Sequence, residues 1–155
     1  MKIYVDMDEV LCDFLGAAEK VLGKPFADVP KEERSAIISA KKDFWHTLPW
    51  HDGGKDLWKK LTKSNDEVYI LSAFASWDPN CKPGKREWIK KNLRPAPSKI
   101  YLVKREQKKN FADKDSILID DYIRNIKEWE SVGGKAVHHI NRSTTLAKLK
   151  KLSLI

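Results

Sequence analysis

Short apolar runs recur along the chain and stop abruptly at small sets of polar residues. KIYV precedes Asp6 and Asp8, VYIL precedes Ser72, and SILI precedes Asp120 and Asp121. Their β-branched and aromatic content predicts buried strands. KIYLV near Lys99–Val103 and KAVHHI after Gly134 predict two more. Between these runs the apolar positions recur at helical spacing. One such stretch runs from about Val10 to Leu22, closed by Gly23 and Pro25. A second, PKEERSAIISAKKDFW, opens on Pro30 with acids in its first turn and ends in lysines. Others cover about Lys55–Thr62, Lys85–Asn92, Tyr122–Glu130 and Thr144–Leu152. Strands alternating with helices predict an α/β fold, a three-layer doubly wound parallel sheet. No strand candidate falls between the first run and Glu67. The helical material there, roughly residues 16–64, is expected to form a small cap inserted into a single domain spanning residues 1–155.

Composition changes this picture little. At 155 residues the chain fits one domain with a real core. No stretch approaches the ~20 apolar residues of a membrane span, and the N-terminus lacks a signal-peptide pattern. A cytoplasmic protein with no membrane partner is expected. Cys12 and Cys81 make neither a disulfide framework nor a metal cluster. The 30 basic residues against 22 acidic ones resemble a nucleic-acid signal until they are located. Twelve of the basic residues, against four acids, lie between Lys82 and Asp115. A local basic lobe facing an anionic substrate accounts for that as well as a nucleic-acid surface does, and so does a solvated helix face around KREWIKKNLR. No nucleic-acid-binding motif accompanies the charge. A nucleic-acid partner is therefore possible but not favoured, and oligomeric state is open.

The strand ends carry the candidate chemistry. In an open parallel sheet, ligands bind outside the carboxyl ends of the strands, so residues distant in sequence meet there. Taken alone, Asp8 reads equally well as the N-cap of the following helix. Taken with the other strand ends, the set covers phosphoryl transfer: a carboxylate to attack phosphorus, a hydroxyl and a lysine for the phosphate oxygens, and a second carboxylate to move the leaving-group proton. Carboxylates at i and i+2 can also share one hard cation such as Mg²⁺. His46, His51, His138 and His139 lack metal-ligand spacing and are expected to be structural or surface groups.

The segments DMDEVLCDF, VYILSA, KREWI, KREQKKNFA and ILIDD, in this order, resemble the motifs of the haloacid dehalogenase (HAD) phosphohydrolases, more closely their 5′(3′)-deoxyribonucleotidase-like branch. The resemblance covers nearly the whole chain. It implies that Asp6 is the nucleophile forming an aspartyl-phosphate, and that Asp8 is the general acid/base whose backbone carbonyl also serves Mg²⁺. Asp6 and Asp120 would supply carboxylates to the metal, with Asp121 assisting. Ser72 and Lys85 would bind the phosphate; a helix-surface charge is the other reading of Lys85. Counting back from LIDD favours Lys109 as the remaining phosphate lysine, with its neighbour Lys108 as the competitor. Two positions depart from the branch. Glu9 stands where glycine is usual, and Ala73 stands where a hydroxyl residue is frequent.

The resemblance also bears on substrate. Aromatics of the cap and first helix form the base pocket in that branch. Among Phe14, Phe44, Trp45 and Trp50, the first choices for substrate contact are Phe14 and Trp45. The competing expectation is that a small cap needs them for its own core. Trp58, Trp88 and Trp129 are expected to be packing residues. The function so expected is a Mg²⁺-dependent phosphatase for a small phosphomonoester, a nucleoside monophosphate first. A sugar phosphate, a nucleic-acid terminal phosphate or a noncatalytic nucleic-acid-binding domain are the alternatives.

Overall fold

The computed structural model describes residues 1–155. Five parallel strands form one sheet: β1 (Lys2–Val5), β2 (Val68–Ala73), β3 (Ile100–Val103), β4 (Ser116–Asp120) and β5 (Lys135–His138). Their order is β3-β2-β1-β4-β5. Both faces are covered, as the near-continuous apolar runs require. Alternate residues divide between two clusters. Ile3, Val5, Ile70, Ile117 and Ile119 point to one face; Tyr4, Tyr69, Leu71 and Leu118 point to the other. The first face packs on α3 (Gly54–Ser64), α4 (Cys81–Asn92) and α6 (Arg142–Lys151) through Leu57, Trp58, Leu61, Trp88 and Leu149. The second packs on α5 (Ile123–Ser131), with Trp129 edge-on to Tyr4. Trp58, Trp88 and Trp129 are all fully buried, as their helical positions led us to expect.

Helices α1 (Phe14–Leu22) and α2 (Lys31–Ala40) pack on each other between β1 and β2. The first begins later than its periodicity implied. The Met7 carbonyl accepts from the backbone N–H groups of Val10, Leu11 and Cys12. That knot of bonds holds residues 7–12 in a tight turn rather than a helix. Asp13, not Asp8, is the N-cap, accepting from the Gly16 N–H at 2.9 Å. The second helix ends at Ala40, and Phe44 and Trp45 fall in the turns beyond it. A 3-10 helix over Arg105–Phe111 fills the basic stretch between β3 and β4.

Although α3 lies within the inserted sequence, it belongs with the layer covering the sheet, beside α6. Apolar burial decides this. Leu57, Trp58 and Leu61 are fully buried, each contributing about 1.5–3 kcal/mol. The exposed Arg142–Asp56 pair between the two helices adds at most about 1 kcal/mol. The N-terminus of α3 rests directly on the turn after β1. A Cβ at Gly54 would stand 2.9 Å from the carbonyl oxygens of both Val10 and Leu11. Because those atoms are backbone, Gly54→Ala is expected to cost about 1–3 kcal/mol of stability. Equilibrium urea unfolding of the two proteins measures the difference.

Candidate active site at the carboxyl edge of the sheet

Register brings the polar strand ends together. Val5 pairs with Ile119 on one side and Ile70 on the other. Asp6 therefore emerges beside Asp120, its N–H donating to the Ile119 carbonyl at 3.0 Å. Ser72 emerges two residues past Ile70 on the neighbouring strand. Ligand oxygens of Asp6, Asp120 and Asp121 all lie within 4.8 Å of one another. Three hard oxygen donors in that space suit a small divalent cation, which takes one or two carboxylates and keeps several waters.

Such a cluster is electrostatically costly, and a lysine offsets it. Lys108 Nζ donates to Asp120 Oδ2 at 2.7 Å and to Asp6 Oδ1 at 3.1 Å. It is 3% exposed, whereas Lys109 is exposed and its ammonium makes no ion pair. The expectation for Lys109 is thus corrected to Lys108. Counting back from Asp120 could not separate neighbours, because the 3-10 turn decides which of the two faces inward. Burial acts against the Lys108 ammonium, but the carboxylates of Asp6 and Asp120 outweigh it and raise its pKa. Asp120 also accepts from the Tyr122 N–H and from Asn125 Nδ2. Sequence reading missed Asn125; its only signal is its place five residues after Asp120 at the start of a helix.

Asp8 sits in a second, separate ion pair. Lys85 Nζ donates to Asp8 Oδ2 at 3.0 Å, Ser72 Oγ at 2.8 Å and the Ala73 carbonyl at 2.8 Å. All three ammonium protons are used, and Lys85 is fully buried. It is no helix-surface charge. It is a strut joining the turn after β1 to the end of β2. At Ala73 the side chain lacks a hydroxyl, yet its carbonyl is engaged by the strut. Burial would depress the Lys85 pKa, but Asp8 and its neighbours raise it on balance. The other oxygen of Asp8, Oδ1, is buried with no hydrogen-bond partner.

Glu9 adopts the left-handed conformation with φ 63°, which costs a side-chain residue about 1–2 kcal/mol. Its carboxylate offsets the cost: Oε1 accepts from the Leu15 N–H at 2.6 Å, and Oε2 lies 3.7 Å from His51 Nε2. The side chain that strains the turn also ties it to α1. Two histidines, the last residue of β5 and the one after it, brace the other side. His138 Nε2 donates to the Asp121 carbonyl at 2.8 Å, and the His139 N–H donates to that of Asp120. The His139 ring is buried against Thr145, with burial pushing its pKa down to about 4.

The aromatics depart from expectation. Trp45 is 2% exposed. Phe14 stacks on its ring at 5.4 Å, Phe44 meets it edge-on, and its indole N–H donates to Asp78 Oδ2 at 2.7 Å. A residue so enclosed has no free face to offer a substrate, so the expectation for Trp45 is corrected: it packs. Phe14 is half-buried by the same stack. The exposed aromatic near this stack is Trp77, on the loop after β2, with its ring 6.3 Å from that of Trp45. Its sequence context, SWDPN, reads as a turn, which concealed it. A cleft of about 680 Å³, lined by Asp13, Lys20, Lys41, Phe44 and Thr47 among others, includes none of the strand-end acids.

No family model and no curated protein matches the chain. Solved structures do. YfnB from Bacillus subtilis, attributed to the HAD hydrolases and bound to magnesium, has a TM-score of 0.59 at 14% identity over 87% of this chain and 84% of its own. The haloacid dehalogenase-like protein SP0104 from Streptococcus pneumoniae gives 0.55 at 16% identity, over 87% and 82%. The HAD family enzyme bt-2542 from Bacteroides thetaiotaomicron, as its magnesium complex, gives 0.55 at 18% identity, over 88% and 91%. The structural neighbours are HAD-family hydrolases. The chain shares their fold, a parallel sheet with helices on both sides. No helix is long and apolar enough to cross a membrane.

Crowded acids give the site a pH signature. Burial, then the charges of Asp6 and Asp120, push the Asp121 carboxyl up to about 8. Between its ordinary value of 3.8 and about 8, the folded chain holds a proton there that the unfolded chain has lost. Stability of the metal-free protein should therefore be greatest below this window and fall as pH rises through it. Thermal unfolding midpoints across that range, in chelator-treated buffer, should decline in the natural protein and flatten in Asp121→Asn.

Proposed function

We propose that the chain is a magnesium-dependent phosphatase acting on a small phosphomonoester through an aspartyl-phosphate. The observation that carries this reading is the division of the strand-end acids into two environments. Asp6 lies with Asp120, Asp121 and Lys108, while Asp8 lies apart on Lys85 with one buried oxygen unpartnered. Carboxylates held in unlike surroundings suit unlike tasks.

In this mechanism Asp6 attacks phosphorus. Asp8 gives a proton to the departing alkoxide as the P–O bond breaks. The alcohol leaves and a phosphoryl group remains on the Asp6 carboxylate. Asp8, now a base, takes a proton from water as it attacks the same phosphorus, and the Asp6–phosphorus bond breaks to release inorganic phosphate. Lys108 neutralises the phosphate oxygens beside Asp6, and Ser72 supplies a hydroxyl on the opposite flank. Carboxylates of Asp6, Asp120 and Asp121 would hold Mg²⁺, which when bound neutralises charge on the transferring phosphoryl group. The three-acid cluster fits that ion in donor type and spacing. Lys85 acts here on Asp8 and Ser72 rather than on the phosphate itself, since its protons are already committed.

For the leaving group, the first reading is a ribo- or deoxyribonucleoside, with Phe14 and the rim aromatic Trp77 beside the base. A sugar phosphate is the second, favoured by the enclosure of Trp45, which removes one stacking surface from the expected base pocket. The basic segment gives weaker support to a polynucleotide, because Lys85 and Lys108, two of its charges, are buried within the site.

Phosphate release from nucleoside monophosphates, sugar phosphates and 5′-phosphorylated oligonucleotides, with and without Mg²⁺, tests the reading. Release should require the metal, and Asp6→Asn should lower kcat by more than about a thousandfold while circular dichroism stays unchanged. Retained turnover in that variant would remove Asp6 as nucleophile.

A further inference from the structure

Asp78 is a buried carboxylate that pairs with no cation. It is 3% exposed, and its two oxygens are spent on neutral donors. The Trp45 indole N–H donates to Oδ2 at 2.7 Å and the Asn80 N–H donates to Oδ1 at 2.9 Å. Burying a carboxylate without a counter-ion is expensive. An asparagine would hold the loop at one oxygen at lower cost. What the carboxylate adds is a second acceptor, so that one group ties the start of α4 and the Trp45 indole together.

The indole is placed with care elsewhere too. The segment carrying it lies so close to α4 that a Cβ at Gly84 would stand 2.5 Å from Trp45 Cβ. Two more contacts follow one turn along the same helix, both at Trp88: its Nε1 donates to the Leu48 carbonyl at 2.7 Å, and Trp50 packs edge-on to its ring. Between these fixings, Lys85 Nζ lies 5.5 Å from the centroid of the Trp45 ring. That is within reach of a cation–π contact, which strengthens when water is excluded. Phe14 also stacks on this ring, centroid to centroid at 5.4 Å.

We infer that Asp78 is a positioning residue: by holding the Trp45 indole over Lys85 it keeps water from that ammonium and so fixes Lys85 on Asp8 and Ser72. The catalytic consequence rests on the role proposed above for Asp8; the geometric one does not. Asp78 itself touches neither substrate nor reacting atoms. Its effect passes through Trp45 to Lys85, and from Lys85 to the acid/base carboxylate and the phosphate hydroxyl.

Amine acylation of the folded protein, read by mass spectrometry, tests this without reference to turnover. In the natural chain Lys85 and Lys108 should both resist a small acylating reagent, while exposed Lys82 and Lys90 react. Asp78→Asn leaves a single acceptor and turns an amide N–H₂ toward the other donor; Trp45→Phe keeps an aromatic face but loses the N–H. Each should raise Lys85 labelling by about tenfold or more through local opening, with Lys108 unchanged. A purely structural role predicts that both lysines rise together, and this outcome would overturn the inference. So would Lys85 labelling at the natural rate in both variants. With Mg²⁺ and a phosphomonoester, kcat should fall about tenfold in either variant with little change in KM, and the double variant should be no slower than Trp45→Phe. If Asp78→Asn fails to fold, the Trp45→Phe labelling decides alone. A natural chain that releases no phosphate while its variants expose Lys85 selectively would refute the proposed function and leave the positioning role standing.

Discussion

The site depends on one electrostatic constraint: carboxylates brought together at a sheet edge repel unless something buried offsets them. Lys108 does so between Asp6 and Asp120 at 3.1 and 2.7 Å. Such a pair contributes less to net stability than its distances suggest, because both partners have lost their hydration. Its larger effect is on geometry. With Lys108 in place, two adjacent strands can end in acids on the same edge, and the third acid, Asp121, is left as the group whose carboxyl is pushed up to about 8. A divalent cation among these oxygens would remove the penalty that the lysine only partly offsets.

A second lysine solves a different problem. Asp8 belongs to the turn after β1, Ser72 to the end of β2, and no backbone bond links the two residues' side chains. Lys85 spans them with donors to both and to the Ala73 carbonyl. The fully satisfied ammonium explains how a charge can be wholly buried. It also explains why α4 must be rigid where it carries Lys85, with the aromatic segment around Trp45 and Leu48 pressed against that helix. The insertion between β1 and β2 is therefore continuous with the core. Ile38, Phe44, Trp45 and Leu48 share one apolar cluster with the strands Ile3, Val5 and Ile70 come from.

Much of the architecture is legible in the chain. Apolar runs that end in Asp6, Ser72 and Asp120 locate three strand ends, and their alternation with helical spacing implies the parallel sheet. The turn after β1 is less legible, since Val10 and Leu11 continue the periodicity of α1 while the Met7 carbonyl gathers their N–H groups into a non-helical knot. Local spacing registers which positions are apolar, not which backbone partner takes their hydrogen bonds. Likewise Glu9 marks itself as unusual beside Asp8, but only the fold supplies the Leu15 N–H and His51 that make its left-handed conformation tolerable.

By itself the sequence determined the element types, the acids at the strand ends and the chemical repertoire available there, because these follow from residue type and short-range periodicity. The tertiary structure alone decided between Lys108 and Lys109, enclosed Trp45, left Trp77 exposed, and recruited Asp78 and Asn125. Each of those outcomes turns on which way a side chain faces once distant segments meet. A shift of one residue in a 3-10 turn, or the approach of one segment across Gly84, reverses it, and no local pattern encodes so small a displacement.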